Sequence, residues 1–186
     1  MRNSNPSILV IDDSDQDREL LLRAFRQIGV TTPVNQASSA VEAIAYLKGE
    51  GPFSDRNKFA FPTVIITDLD MKAGDGFDVL QFRQSHKRSS VVPIIVLSGS
   101  LEPNNLERAL ALGASACHVK PNTYRALVHQ LIILHGYWST TEIPDQLPET
   151  GFSQIVDIPK SRSQLSRPIS FQEATTAESF LPKKEK

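Results

Sequence analysis

Short apolar runs alternate with longer amphipathic runs along the chain from Ser7 to about Trp138. Three of five short runs are rich in β-branched residues, which favour the extended backbone of a sheet, and we predict that all five form strands. These strands cover residues 8–11, 34–37, 64–67, 94–97 and 116–119. The first, third and fourth are almost wholly apolar, which is typical of parallel strands that are buried on both faces.

The longer runs predict five helices, at about residues 15–28, 39–48, 77–84, 104–112 and 123–135. Ser14 or Asp13 is expected to cap the first helix, and Ser39 with Glu42 reads as a capping box for the second. The buried face of the second helix is expected to include Val41. Because strands and helices alternate, the chain is expected to have an α/β fold of three layers, with a five-stranded parallel sheet and helices on both faces.

The sequence changes in character after Trp138, where prolines recur in a stretch rich in Ser, Thr and Gln. We therefore predict one folded domain over residues 1–138 and a disordered tail over residues 139–186. The tail has no sustained helical period, so a helix-turn-helix output domain is not expected. With a formal net charge of -1, the chain is not expected to bind nucleic acid.

The number of cysteines and the length of the apolar runs indicate where in the cell the protein is located. Cys117 is the single cysteine, so no internal disulfide can form, and a reducing, cytoplasmic location is expected. No run approaches the ~20 apolar residues that a bilayer requires, and the N-terminus meets two aspartates too early for a signal peptide. We therefore expect no membrane segment.

Polar residues that can carry chemistry follow four of the predicted strands. Asp12 and Asp13 follow the first strand, Asp68 the third, Ser98 the fourth and Lys120 the fifth. In parallel α/β sheets the functional side chains gather at the carboxyl ends of the strands. Each residue alone would be read as a cap, a turn or a solvated loop residue, but their joint occurrence predicts one site.

The residue types point to phosphoryl transfer assisted by a metal ion. Carboxylates forced together repel, at a cost of roughly 4 kcal/mol for a pair ~4 Å apart in an effective dielectric of ~20, and a divalent cation relieves that repulsion. Mg²⁺ prefers oxygen ligands, and Asp12, Asp13 and Asp68 with the main-chain carbonyl of Asp70 would supply them. Asp68 is then the predicted phosphoacceptor. Lys120 and Ser98 are the predicted donors to the phosphoryl oxygens.

Taken in order, these motifs resemble the receiver domains of two-component response regulators. The matching segments are residues 8–13, 65–71 with Asp75-Gly76, 96–99, 113–114 and 119–121. The resemblance implies a flavodoxin-like fold and Mg²⁺-dependent phosphorylation of Asp68 by a histidine kinase or a phosphotransfer protein. It implies a switch and not an enzyme, and a cis peptide bond between Lys120 and Pro121.

Two features resemble the phytochrome-associated type of single-domain receiver. They are the insertion at residues 49–62 and the extension through residues 135–138. This resemblance implies a light-sensing histidine kinase, such as a bacteriophytochrome, as one candidate donor. The fifth predicted helix is apolar around much of its circumference, and we expect a homodimer through this region.

Three positions depart from the receiver pattern. Cys117 stands where many receivers carry an aromatic switch residue, so the output route stays open. Neither His118 nor Tyr124 can be assigned to replace it. Lys72 stands where proline is usual, which is expected to alter only the loop. Asp70 occupies a position that influences phosphoryl lifetime in the family, in a direction that the sequence does not define.

Two other functions remain as alternatives. Asp68-Leu69-Asp70 also resembles the nucleophile motif of haloacid-dehalogenase-type phosphatases, although Lys72 and the acidic pair after the first strand do not fit that motif. A receiver fold can also serve as a binding module that works without phosphorylation. The complete set of acidic, hydroxyl and lysine residues argues against that alternative.

Overall fold

The structure is a computed structural model, and it describes residues 6–72 and 75–139. Five parallel strands form one sheet in the order β2-β1-β3-β4-β5. The strands are β1 (Ile8–Ile11), β2 (Val34–Ala37), β3 (Val64–Thr67), β4 (Ile94–Ser98) and β5 (Ala116–Val119). The predicted strands are confirmed, with β4 one residue longer. β1, β3 and β4 are buried along their whole length, as their apolar sequences predict.

Six α-helices lie in the described part of the chain. They are α1 (Asp15–Gln27), α2 (Ala40–Lys48), α3 (Gly76–Ser85), α4 (Lys87–Ser90), α5 (Pro103–Ala111) and α6 (Tyr124–Ser139). The single turn α4 and a 3-10 turn at Gly51–Phe53 are too short to show a helical period and were not predicted. Within residues 6–72 and 75–139, no helix has the length and apolar character needed to cross a membrane. The predicted tail beyond Ser139 lies outside the described residues.

Alternate residues of the central strands enter two separate cores, one on each face of the sheet. Leu9 and Ile65 belong to the core that includes α2, α3 and α5 residues, whereas Val10 and Ile66 belong to the core with α1 and α6. This alternation follows from the period of two along a strand. The three-layer, flavodoxin-like architecture is therefore confirmed.

The start of α2 differs in detail from the prediction. Ser39 accepts a hydrogen bond from the Glu42 main-chain N at 3.2 Å, as a cap should. The Glu42 carboxylate instead accepts from the Ser38 N at 2.7 Å, so only half of the predicted capping box forms. Val41 is 73% exposed, and its predicted burial is wrong. Since several neighbouring positions are apolar, the helical phase was ambiguous, and Ala40 and Ala43 face the core instead.

Helix α6 continues through Gly136, where the sequence predicted a stop. Glycine inside a helix costs about 1 kcal/mol relative to alanine. Packing of the last turn offsets this cost, because the Trp138 ring lies edge-on to Phe25 with 6.2 Å between centroids. On the other side of α6, Ile132 and Ile133 are 53% and 62% exposed.

The insertion after α2 folds onto an aromatic cluster. The ring of Tyr46 lies 5.2 Å from Phe53 and 6.1 Å from Phe59, and its hydroxyl donates to the Ala60 carbonyl at 2.6 Å. The same carbonyl accepts from the Ser7 hydroxyl at 2.9 Å, just before β1 begins. The insertion is therefore fixed at the amino edge of the sheet.

Candidate functional site

Lys120 lies at the centre of a cluster at the carboxyl edge of the sheet. Its Nζ is 2.6 Å from Asp12 Oδ2, 2.7 Å from Asp68 Oδ2 and 2.7 Å from Asp17 Oδ2. Its main-chain N donates to the Ser98 carbonyl at 2.7 Å, which fixes the loop after β5 beside β4. The structure thus brings Asp12, Asp68 and Lys120 together, as strand polarity predicted.

The two strand-end carboxylates are more deeply buried than the other members of this cluster. The side chains of Asp12 and Asp68 are 2% and 8% exposed, compared with 18% for Lys120 and 37% for Asp17. Asp12 N donates to the Ala37 carbonyl at 3.1 Å, and Asp68 N donates to the Ile11 carbonyl at 2.9 Å. Because the hydrogen bonding of the sheet continues into the first residue after each strand, the main chain that carries both carboxylates is held in place.

Burial and ion pairing act on the protonation of these groups. Burial raises the pKa of Asp12 above its usual value, and the hydrogen bonds from Lys120 and from the Ser14 N offset only part of that effect. For Lys120, burial alone would lower the pKa, but hydrogen bonds to Asp12, Asp17 and Asp68 outweigh burial and the net pKa is raised. Lys120 therefore remains a cation at neutral pH.

The other predicted site residues contact the loop that follows β3. Asp13 Oδ2 accepts from the Lys72 N at 2.9 Å, and the Ser98 hydroxyl donates to Asp70 Oδ2 at 3.1 Å. The Asp70 N in turn donates to Asp68 Oδ1 at 3.2 Å. Asp70 thus contacts the Asp68 carboxylate directly, and Ser98 is linked to it through Asp70. Within the described residues, Asp13 makes no contact with Lys120.

Gly76 approaches Asp68 more closely than any side chain would permit. A Cβ atom at this position would lie 2.1 Å from the Asp68 carbonyl oxygen. Asp75 caps α3 in a capping box with Asp78, which holds the first turn of the helix in this place. The sequence marked Asp75-Gly76 as a motif, and the structure gives the steric reason for the glycine.

Asp17 and Arg18 belong to the site but were not predicted from the sequence. Asp17 pairs with Lys120, and Arg18 donates to the Asp12 carbonyl and to Asp15. Both lie in the first turn of α1, which starts at the carboxyl end of β1. That position was the available signal, because a helix that begins at this edge directs its first turn toward the neighbouring strand ends.

The donor set is chemically suited to Mg²⁺, a hard cation that prefers carboxylate and carbonyl oxygens. Asp12 and Asp68 already converge on one cationic group, the ammonium of Lys120. Over residues 6–72 and 75–139, no group of three or more His, Cys, Asp or Glu side chains forms a ready metal cage. Participation of Asp13 and of the Asp70 carbonyl stays a prediction, since Asp13 is bonded to the loop through Lys72.

Two expectations near Lys120 have clear outcomes. The bond between Lys120 and Pro121 is trans, and no cis peptide occurs in the described ranges, so the implied cis bond is wrong. A trans bond is the more stable form before proline. Cys117 is half-buried and packs against the α2–α3–α5 core, and burial raises the pKa of its thiol. The usual aromatic switch position is therefore a small, uncharged side chain.

Solved structures resemble this chain along most of its length. A response regulator in red light signalling of R. palustris, RPA3017, has 26% identity and a TM-score of 0.70, covering 75% of this chain and 98% of that one. The phosphorylated cyanobacterial phytochrome response regulator RcpA has 25% identity and a TM-score of 0.69, covering 76% and 99%. The chain therefore resembles phytochrome response regulators in structure as well as in sequence.

Sequence comparison identifies the family. A probable methanogenesis regulatory protein of Methanothrix harundinacea, FilR2, is 24% identical over 131 residues, covering 70% of this chain and 82% of that protein. The family model described as the response regulator receiver domain matches residues 8–132. Receiver domains are signalling switches that interact with histidine kinases or phosphotransfer proteins. The chain belongs to the response regulator receiver domain family.

Proposed function

We propose that this chain is a response regulator whose Asp68 accepts a phosphoryl group in a Mg²⁺-dependent reaction. The observation that carries the proposal is the contact at 2.7 Å between Lys120 Nζ and Asp68 Oδ2. It supplies a fixed positive charge beside a buried carboxylate at the open edge of the sheet. The phosphorylated form would signal by shifting the population of two surface conformations that partners distinguish.

The proposed transfer forms one bond and breaks one. A carboxylate oxygen of Asp68 attacks the phosphorus of a phosphohistidine, and a P–O bond forms while the P–N bond breaks. The electron pair of that bond leaves with the imidazole, which takes up a proton, and Asp68 carries an acyl phosphate. Lys120 and Ser98 would donate to the phosphoryl oxygens, for which the Ser98 hydroxyl must leave Asp70.

Receiver domains bind Mg²⁺ or Mn²⁺ at the phosphorylation site. In this chain Asp12, Asp13, Asp68 and the carbonyl of Asp70 would hold the ion. When bound, Mg²⁺ supplies positive charge that offsets the carboxylates and the phosphoryl oxygens. The crowding of Asp12 and Asp68 around one ammonium supports this ligand set, because it shows carboxylates already gathered where a cation is stabilising.

We propose a histidine kinase of the phytochrome type as the phosphodonor. A phosphotransfer protein that carries the phosphoryl group from such a kinase to this chain is the alternative donor. The support comes from two similar proteins. RPA3017 is described as a response regulator in red light signalling, and RcpA is described as a phytochrome response regulator. A cognate kinase would label this chain faster than an unrelated kinase does. Equal rates from both kinases would remove the support for a phytochrome donor.

A homodimer through α6 is the proposed assembly. Ile132, Ile133 and Tyr137 are each more than half exposed on this helix, and Val119 at the end of the edge strand β5 is 52% exposed. Adjacent exposed apolar residues usually mark a contact surface. Light scattering should give a dimer for the wild type and a monomer for Ile133→Asp. A monomeric wild type, with and without beryllofluoride, would contradict this assembly.

Labelling with acetyl phosphate and Mg²⁺ tests the site. Intact-mass measurement should show one added phosphoryl group on the wild type and on Asp55→Asn, a matched control in the insertion, and none on Asp68→Asn. Equal labelling of Asp68→Asn would refute the assignment. Sustained turnover of a phosphate monoester would favour the phosphatase alternative. Phosphorylation that changes neither assembly nor partner binding would favour the binding-module alternative.

A further inference from the structure

We infer that Asp17 is a positioning residue that acts through Lys120: it occupies one N–H donor of the resting lysine and gives up that donor when a phosphoryl group arrives on Asp68. The inference rests on the proposed role of Asp68. It concerns a residue on α1, outside the strand ends that carry the predicted site.

The hydrogen-bonding capacity of Lys120 is fully used in the structure. An ammonium group has three N–H donors. Three carboxylate oxygens lie within bonding distance of Nζ, at 2.6 Å for Asp12, 2.7 Å for Asp17 and 2.7 Å for Asp68. A phosphoryl oxygen on Asp68 needs a donor from the same ammonium. One of the existing bonds must therefore break.

Burial decides which bond breaks. The acyl phosphate of Asp68 keeps a carbonyl oxygen that can still accept from Lys120, so the bond that breaks is the one to Asp12 or the one to Asp17. The Asp12 side chain is 2% exposed, so water cannot replace the ammonium there, and a buried carboxylate without its partner is strongly disfavoured. Bound Mg²⁺ would offset only two of the three charges of its proposed ligands Asp12, Asp13 and Asp68, so Asp12 would still need Lys120. The Asp17 side chain is 37% exposed, so water can replace the ammonium there. Asp17 is the partner that Lys120 releases at the lower cost.

Asp17 therefore opposes phosphorylation in two ways. It competes with the phosphoryl group for a donor of Lys120, and its negative charge repels the incoming phosphoryl dianion. Asp17→Asn keeps the shape and an amide oxygen but removes the charge. We expect the initial rate of labelling by acetyl phosphate to rise about two- to fivefold, the range that fits a partly exposed ion pair.

Initial rates of Asp68 labelling on the full chain test this inference. Glu19→Gln is the matched control, because Glu19 is an exposed residue of the same helix, pairs with Arg26 at 3.0 Å and loses the same charge. The rate of Glu19→Gln should equal that of the wild type, and Asp17→Glu should stay close to it. Asp17→Ala, which removes the acceptor entirely, should be faster than wild type in the same way as Asp17→Asn.

A second readout uses the metal-free, unphosphorylated protein. NMR of the Lys120 ammonium should show its protons exchanging with water several-fold faster in Asp17→Asn than in wild type, with the thermal midpoint little changed. A labelling rate for Asp17→Asn and Asp17→Ala equal to or below that of wild type would overturn the inference. If wild type and Asp68→Asn were labelled alike, the proposed function itself would fail, and that result is distinct.

Discussion

Replacing Lys120 by methionine removes the cation that separates two buried carboxylates. Asp12 Oδ2 and Asp68 Oδ2 lie 2.6 Å and 2.7 Å from the same nitrogen, so they can be no farther than about 5 Å apart. At ~5 Å and an effective dielectric of ~20, two unit charges repel by about 3 kcal/mol. Loss of one partner from a buried ion pair costs about 3–5 kcal/mol, which agrees. We expect Lys120→Met to lower the free energy of unfolding by about 3 kcal/mol near neutral pH without divalent cations.

The pH dependence of this loss has a defined sign. Burial raises the pKa of Asp12 in the folded state above its usual value, so the folded protein binds this proton more tightly than the unfolded chain does. Stability from this group is therefore present at low pH and falls as pH rises through the folded-state pKa. Without Lys120 that pKa rises further. The deficit of Lys120→Met should therefore shrink as pH falls from neutral toward the usual pKa of an aspartate.

Urea unfolding followed by the fluorescence of Trp138, the single tryptophan, measures these free energies. Saturating Mg²⁺ should stabilise Lys120→Met more than it stabilises wild type, because the ion supplies the charge that the variant lacks. Lys48→Met is the control, since Lys48 pairs with Glu50 at 3.8 Å on the surface and should lose under about 1 kcal/mol. A Lys120→Met deficit that is independent of pH and of Mg²⁺ would refute the electrostatic reasoning.

Further predictions concern positions where packing or burial is decisive. Gly76→Ala places a Cβ 2.1 Å from the Asp68 carbonyl oxygen, so it should lower the free energy of unfolding by about 1–3 kcal/mol and slow phosphorylation. Gly99→Ala is the control, because the space around Gly99 is open and its stability should not change in this way. Because burial raises the pKa of Cys117, its alkylation should be slower than that of a small free thiol at about pH 8 and should accelerate as pH rises, and a rate equal to that of the urea-unfolded chain would contradict this burial. Tyr46→Phe removes a donor to a carbonyl of the insertion at 2.6 Å and should cost about 1 kcal/mol on urea unfolding, and an unchanged midpoint would show that this bond contributes nothing.

The central strands can be predicted from the sequence because the apolar composition of each strand indicates that it is buried. The central strands β1, β3 and β4 are continuous apolar runs, and the polarity of a parallel sheet then brings Asp12, Asp68 and Lys120 to one edge. The order of strands and the family fold followed from the motifs.

Other features depend on tertiary contacts that local patterns do not contain. Asp17 meets Lys120 across 103 positions of sequence, and nothing in its own neighbourhood distinguishes it from a surface aspartate. Val41 lies in a helix in which Ala40, Ala43 and Ile44 are also apolar, so the sequence does not fix the helical phase. Gly136 reads as a stop, yet the contact of Trp138 with Phe25 extends the helix beyond it.

The insertion at residues 49–62 lies at the amino edge of the sheet, through Tyr46 and Ser7, whereas Lys120 and its carboxylates lie at the carboxyl edge. Four residues of strand separate these edges by about 13 Å. Changes in the length of the insertion can therefore be absorbed without moving the phosphoacceptor. The sequences at the two edges of the sheet can therefore vary independently of each other. Residues 54–58 offer an attachment point for a fluorophore that leaves phosphorylation of Asp68 undisturbed.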